Sequence, residues 1–478
     1  MRVRRFDTRS ASLAEIARAV RRPALGEMPV PEPMRAALER HFGPGVTAVE
    51  AVRRIVESVR TEGDRALVRW SLEFDGVELE PESFYLGSDA VEAARHSGYE
   101  WCLPHLQEAA RAIERFHRLQ VPAPCLDVTP DGAWAAWMAR PVRRAAIYVP
   151  AGTAPLASTA LMGVVPARVA GVEEIVVVTP PPAHPGVVLA AFVAGAHRVL
   201  QLGGAQAVAA LAYGTETVQP ADVVVGPGNL FVQLAKREVV GVVGIDGLAG
   251  PTEVVVLADR TAPAPWVAAD LVAQAEHAPD AAAILITDSA QLADAVEEEL
   301  DRQLQTLPRA SLARASLSRW GAVVVCGSLA TEGVLLADAI APEHVQVMAQ
   351  EAQSLAARLT AAGAILVGAH TPEALADYAA GTNHILPTNA TARFASAVGV
   401  HTFLRWSAVL MASPAAAARL YPVVEALGTL EGLEAHVRSA RMRVQAQREA
   451  NPHTERKAAE KAEGPSGARA QAGGTAHG

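Results

Sequence analysis

The chain has 478 residues, half of them hydrophobic and 19% charged, with a formal net charge of −9. That balance describes a globular protein of more than one domain and argues against nucleic acid or an anionic membrane as the main partner. Cys102, Cys125 and Cys326 are widely spaced and form no CxxC, so neither a disulfide framework nor a thiolate zinc site is indicated.

In chain order, the start MRVRRFDTRS carries no apolar run behind its arginines, so no secretory signal is expected and a cytoplasmic enzyme is the default. Residues 1–45 are rich in Arg and Pro with weak periodicity and read as an arm. From Val46, Val49, Val52, Ile55, Val56 and Val59 recur at helical spacing, a second helix follows Gly63, and a third covers 106–116. Residues 46–140 therefore read as mostly helical. At 145–149 a short apolar run reads as a buried strand. Helices at 156–170, 187–194, 205–213 and 230–238 then alternate with strands at 174–179, 198–202 and 222–225. Strand and helix in alternation with short loops imply βαβ crossovers and a parallel sheet.

After the glycine-rich joint 244–250 the alternation resumes. Strands are expected at 253–258, 282–287, 322–326 and 364–367, and an apolar run, VQVM, follows His344. Helices are expected at 265–277, 289–304, 329–339, 351–360 and 372–378, and the region 400–450 reads as helical again. From about Glu449 the composition is low in apolar residues, which predicts a disordered tail. The apolar runs are too short to span a bilayer.

Several polar clusters interrupt this pattern. YVPAGTAPLAS (148–158), LGGAQA (202–207) and VGPGNL (225–230) each join a strand end to a helix N-terminus, where ligands of open α/β sheets and phosphate groups sit. Three in succession suit a dinucleotide, although each is also the tight βα turn that any such fold needs. No G-x-G-x-x-G occurs, so a nucleotide held by that fingerprint is disfavoured. In VAQAEHAPD (272–280), Gln274 and His277 stand three apart, so on a helix an amide oxygen and an imidazole nitrogen share one face. APEH (341–344) offers Glu343 and His344, a carboxylate and a base suited to neutral pH. DYAAGTNHILPT (377–388) packs Asp377, Asn383 and His384 around a glycine turn. In EGLEAH (431–436), Glu431 and His436 are five apart on an expected helix and share no tight face. There is no HExxH, and spacing alone leaves zinc open.

Taken together, YVPAGTAPLAST, GGAQAVAALAYGT, GPGN, AGPTEVVVLAD, QAEHAPD, APEH and DYAAGTNHILPT resemble, in their order, the L-histidinol dehydrogenase family, over roughly residues 46–444. The resemblance implies a homodimer containing zinc and using NAD. It would oxidise L-histidinol through L-histidinaldehyde to L-histidine in the last steps of histidine biosynthesis. By motif position, Gln274, His277 and Asp377 match zinc ligands of one subunit, and His436 matches a fourth from the other. His344 matches the acid/base for the hydroxyl proton, and Glu343 the base that activates water. Thr252, His384 and Glu431 match substrate contacts, which the ligands and His344 join. Tyr148, Gln206 and Asn229 match NAD contacts. Ala151 stands where Gly is expected and Thr252 where Ser is common. A related dehydrogenase of another polar alcohol, such as a sulfonated diol, is the second reading, and a non-catalytic zinc- or nucleotide-binding relative the third.

The expected organisation is α/β, with two Rossmann-like parallel-sheet domains and helical N- and C-terminal appendages. The arm 1–45 precedes a discontinuous domain, 46–146 plus 252–398, carrying the zinc and substrate site. An NAD-binding domain (147–251), a helical dimerisation segment (399–448) and a disordered tail (449–478) complete it.

Overall fold

The computed structural model describes residues 3–23, 25–30, 32–151 and 155–450. The described residues fall into two compact units, one within 1–121 and 141–405 and the other within 122–140 and 406–450. No helix among the described residues is long and apolar enough to cross a membrane.

The first unit holds two parallel sheets. One is five-stranded: Arg144–Tyr148, Glu174–Val178, Arg198–Leu200, Val223–Val225 and Gly244–Ile245 lie in the order third, second, first, fourth, fifth. The other repeats that order with Glu253–Ala258, Ala282–Thr287, Ala322–Val325, His344–Met348 and Ala364–Val367, and adds Arg4–Asp7 beside its third strand. Both orders are those of doubly wound folds, so the expected class holds.

The strands are apolar on both faces because helices cover both. In the five-stranded sheet Ala146, Tyr148, Val176 and Val224 face one core, while Ala145, Ile147, Val177 and Val225 face another. The helices Ala48–Glu62, Gly204–Tyr213 and Leu230–Val239 pack together over the first core; Leu103–Arg118, Ala157–Ala170 and Pro185–Ala194 pack over the second. In the six-stranded sheet Val254, Val256 and Leu285 face one side and Val255, Leu257 and Ile284 the other. These alternations have the period of two that a pleated strand imposes.

Four expectations are corrected. Residues 1–45 are not an arm: Arg4–Asp7 pairs with Ala322–Val325, and the helix Leu13–Val20 buries Ile16, Ala17 and Val20 beside the helix Val334–Ile340. The strand RRFD is charged because it is an edge, which hid it from an apolar-pattern reading. The helix Ala48–Glu62 packs on the five-stranded sheet and not with 252–398, since the stripe Val52, Ile55, Val56 and Val59 is buried against Val208 and Leu211, while Leu103–Arg118 packs on the other face of that sheet and also meets Ile385 and Val398. Arg144–Tyr148 likewise lies wholly in that sheet. The second unit is only partly helical: Cys125–Val128, Trp134–Pro141 and Leu404–Met411 form a three-stranded sheet, followed by the helices Pro414–Leu430 and Glu434–Ala450. Those strands are largely exposed, so their residues lack the alternation that marks a half-buried strand. The tail expected from Glu449 lies, beyond Ala450, outside the described residues.

Candidate active site

One strand pairing assembles the site. His344 opens His344–Met348, opposite Val254 on one side and Ala364 on the other. Just before it, buried Ala341 ends the helix Val334–Ile340 with φ 51°, a left-handed conformation that disfavours any residue with a Cβ. The turn brings Glu343 beside the start of Glu253–Ala258. There its Oε2 accepts a hydrogen bond from the Thr252 hydroxyl and one from the Glu253 backbone N–H at 3.0 Å. The Gln274 amide donates to the same Thr252 oxygen at 2.9 Å. Burial pushes the Glu343 carboxyl up to about 7, against the lowering by those two hydrogen bonds.

His344 is 2% exposed. Its Nδ1 lies 3.6 Å from Glu373 Oε1 and 3.9 Å from Glu343 Oε2, and its Nε2 lies 3.9 Å from Asp377 Oδ1. These lengths exceed a hydrogen bond, and neither ring nitrogen has another partner among the described residues. Burial lowers the His344 pKa, which keeps the ring neutral near pH 7. Glu373 and Asp377 stand four apart on the helix Glu373–Tyr378, so both acids share a face. Burial raises both, Asp377 to about 6, and each feels neighbouring carboxylates besides. Like charges at this spacing destabilise a helix unless something positive lies between them.

Gln274 is fully buried in the last turn of the helix Ala264–Ala275, and its Oε1 has no partner among the described residues; the same holds for Asp377 Oδ1. The expected shared helical face of Gln274 and His277 is not formed. The helix stops at Ala275, and exposed His277 follows the capping Glu276. His277 Nδ1 instead lies 3.0 Å from the Ala273 carbonyl. A carbonyl only accepts, so Nδ1 carries the hydrogen and the neutral ring keeps its lone pair on Nε2. His384 is used up: Nδ1 donates to the Asp377 carbonyl at 3.1 Å, and Nε2 accepts from Thr159 at 3.2 Å. Burial holds its pKa down at about 4. Asn383 is a clamp, donating to the Met162 carbonyl and accepting from Ile385 N–H.

The structure thus gathers Thr252, Gln274, Glu343, His344, Asp377 and His384. Among the described residues, one group of three ligating side chains has its atoms within 4.8 Å of one another: His344, Glu373 and Asp377. It shares only Asp377 with the expected metal set. Glu431 and His436 belong to the second unit, where both are exposed. They are not on one helix as expected: Glu431 caps Pro414–Leu430 and His436 lies in the first turn of Glu434–Ala450, because Gly432 turns the chain at φ 72°.

Tyr148, Gln206 and Asn229 line one cavity of about 460 Å³. It opens at the carboxyl ends of Arg144–Tyr148 and Val223–Val225, where the strand order reverses. The Tyr148 hydroxyl accepts from Gly204 N–H at 3.0 Å, leaving its own hydrogen for a ligand. Asn229 Oδ1 caps the helix Leu230–Val239 through Phe231 and Val232 N–H. Gln206 is buried with Oε1 lacking a partner among the described residues. The GPGN turn is held by buried Lys236, which binds the Gly226 carbonyl at 3.0 Å and pairs with Asp246. A side chain at Gly226 would meet the Tyr148 carbonyl at 2.2 Å. Asn229 also lines a neighbouring cavity of about 300 Å³ that reaches Ala278 and Asp280, beside His277.

Sequence reading missed several residues. Arg22, 1% exposed in its side chain, pairs with Glu253 at 2.8 Å and donates to the carbonyls of Pro251, Thr252 and Asp280. Glu253 opening an apolar run was a visible signal, as was the Glu373–Asp377 spacing. Arg22 and the cavity-lining Asp75 had none.

The family model described as histidinol dehydrogenase matches residues 43–444. Relatives named histidinol dehydrogenase include one from Synechococcus sp., 45% identical over 83% of this chain and 92% of its own length. Another, from Rhodopseudomonas palustris, is 46% identical over 85% of this chain and 95% of its own. The crystal structure of histidinol dehydrogenase from Elizabethkingia anophelis superimposes with a TM-score of 0.83 at 31% identity, covering 93% of this chain and 98% of that one.

In metal-free protein the Glu343 carboxyl is expected to gain its charge as pH rises through about 7. Infrared difference spectra, parent minus Glu343→Gln, should show a carboxylate band growing between about pH 6 and pH 8. A band complete by about pH 5 would mean that burial does not dominate at this position.

Proposed function

The chain belongs to the histidinol dehydrogenase family. From that premise we propose how its side chains carry the two-step oxidation of L-histidinol, through L-histidinaldehyde, to L-histidine. The observation that carries the reading is the buried Glu343–His344 pair opening one strand beside Thr252, Gln274 and Asp377.

Zinc, when bound, would fix the substrate's imidazole and amino nitrogens. Gln274 Oε1, His277 Nε2 and Asp377 Oδ1 would hold it, with His436 from a second copy of the chain. Two buried oxygens without partners among the described residues, Gln274 Oε1 and Asp377 Oδ1, suit a borderline cation, and the Nδ1 contact of His277 to the Ala273 carbonyl fixes its ring. A homodimer fits the apolar side chains exposed around His436 in the second unit, Leu427, Leu430 (81% exposed) and Leu433 among them. NAD would accept both hydrides. Tyr148, Gln206 and Asn229 would hold it, and the orphaned Gln206 oxygen in a 460 Å³ cavity supports that.

In the first oxidation neutral His344 takes the hydroxyl proton as the hydride leaves the same carbon, giving the aldehyde. In the second, Glu343 takes a proton from the water that adds to the aldehyde carbon. Loss of a second hydride from that hydrate leaves the carboxylic acid. Thr252 pins Glu343, and its hydroxyl, His384 and Glu431 of the second copy complete the substrate contacts. His384 has both nitrogens engaged, so it positions and moves no proton. Free cysteines and no disulfide suit a cytoplasmic enzyme.

Purified protein should form about two NADH per L-histidinol consumed. Glu343→Gln should slow aldehyde consumption by roughly two orders of magnitude or more while the first oxidation suffers less. Turnover of a sulfonated diol without turnover of histidinol would move the assignment to that substrate class.

Metal analysis separates the two candidate ligand sets. Gln274→Ala and Asp377→Ala should each lose roughly tenfold or more in zinc affinity, and Glu373→Gln should keep it. Zinc loss in Glu373→Gln with retention in Gln274→Ala would instead put the ion between His344, Glu373 and Asp377.

Mixing inactive His344→Ala with inactive His436→Ala subunits should restore up to about a quarter of parental activity, from the share of sites in mixed dimers that are intact. No recovery in dimers shown to be mixed would remove His436 from the neighbour's site.

A further inference from the structure

The cavity lined by Tyr148, Gln206 and Asn229 contains a charged residue with no role so far. Asp75 ends a π-helical turn, Ser71–Asp75, that continues the helix Asp64–Trp70. Such widened turns recur at functional sites because they displace one side chain from the regular helical face. Here left-handed Gly76 follows at once, and Asp75 lines the cavity with Glu73 and Phe74. Its Oδ2 accepts from the Gln206 amide at 3.4 Å, and it forms no ion pair with a described residue. Burial pushes its carboxyl up to about 6, a cost that a hydroxyl donor would relieve.

The cavity is polarised. Among the described residues lining it there is no Lys, Arg or His, while two carboxylates are present. A pyrophosphate therefore belongs at the helix N-termini of Gly204–Tyr213 and Leu230–Val239, where Gly204 and the capping Asn229 line the same cavity. Asn229 borders the neighbouring cavity that runs toward Ala278, and Asp75 does not. The nicotinamide half thus extends past Asn229 toward the reacting groups. The adenosine half is left with the apolar pocket of Leu38, Ile55 and Phe74 and with Asp75.

We propose that Asp75 is the residue that selects NAD over NADP, its carboxylate accepting hydrogen bonds from the adenosine ribose hydroxyls and repelling a 2′-phosphate. The inference rests on the NAD reading above. The chemistry is that of an acidic residue on a ribose diol, reached here without the glycine fingerprint that usually accompanies it. A 2′-phosphate set against half-buried Asp75 would meet no Lys, Arg or His among the described lining residues, and the nearby His41 is already paired with exposed Glu73 at 3.1 Å, so the phosphate is disfavoured.

Direct titration of the full-length protein with NADH and NADPH, followed by nucleotide fluorescence or calorimetry, tests this without turnover. The parent should bind NADH about a hundredfold more tightly than NADPH or better. Asp75→Ser should weaken NADH and strengthen NADPH until the ratio falls below about tenfold. Asp75→Asn, which preserves shape and the contact with Gln206, should narrow the ratio in the same direction. An unchanged ratio in both variants, with NADH still bound by the parent, overturns the role of Asp75 and leaves the cofactor reading intact. A parent that binds neither nucleotide overturns both.

Discussion

The parallel pairing of Glu253–Ala258 with His344–Met348, Val254 opposite His344, is the constraint on which the site depends. It sets Thr252 and Glu253 against Glu343 and His344, segments with no proximity in the chain. A shift of one residue would turn every side chain of the strand to the other face. The register is held by cores on both faces of the sheet, so the position of the carboxylate is backed by the whole hydrophobic layer. Burial then does the chemical work. The same desolvation that lifts Glu343 into the neutral range keeps His344 uncharged.

Buried charge on this scale has to be offset locally. Arg22 answers Glu253 and ties three backbone carbonyls of the loop before it, so the N-terminal segment braces the strand that carries the site. Lys236 and Asp246 do the same for the GPGN turn of the other sheet. Removing one member of such a pair generally costs about 3–5 kcal/mol, because the other is left charged and buried. Asp377 and Glu373 have no Lys or Arg partner among the described residues, His344 lies 3.9 and 3.6 Å from them, and a group of this kind could hold a cation.

The two sheets repeat one strand order but use opposite edges. The candidate nucleotide cavity lies at the carboxyl ends of the five-stranded sheet, as open α/β folds favour. The cluster around His344 lies at the amino ends of the six-stranded sheet, because helices such as Ala264–Ala275 run back and deliver Gln274 to where the strands begin. An expectation drawn from strand ends alone therefore finds the first location and not the second. The adjoining cavity shared through Asn229 runs from the GPGN turn to Pro251, Ala278 and Asp280.

What the sequence determined by itself was local. Alternation and helical spacing marked most strands and helices, and short polar clusters marked Gln274, Glu343, His344, Asp377 and His384, which the structure gathers, but not Glu373, Arg22 or Asp75. The charged edge strand Arg4–Asp7, the exposed strands of the second unit and the break between Gln274 and His277 escaped, since none carries a periodic apolar signal. Only the tertiary structure decided which segments meet: that the helix Ala48–Glu62 covers the five-stranded sheet, that Arg22 reaches Glu253, and that Asp75 enters the cavity of Tyr148 and Gln206. Those meetings are set by long-range burial and strand register, and neither is encoded within any stretch short enough to be read alone.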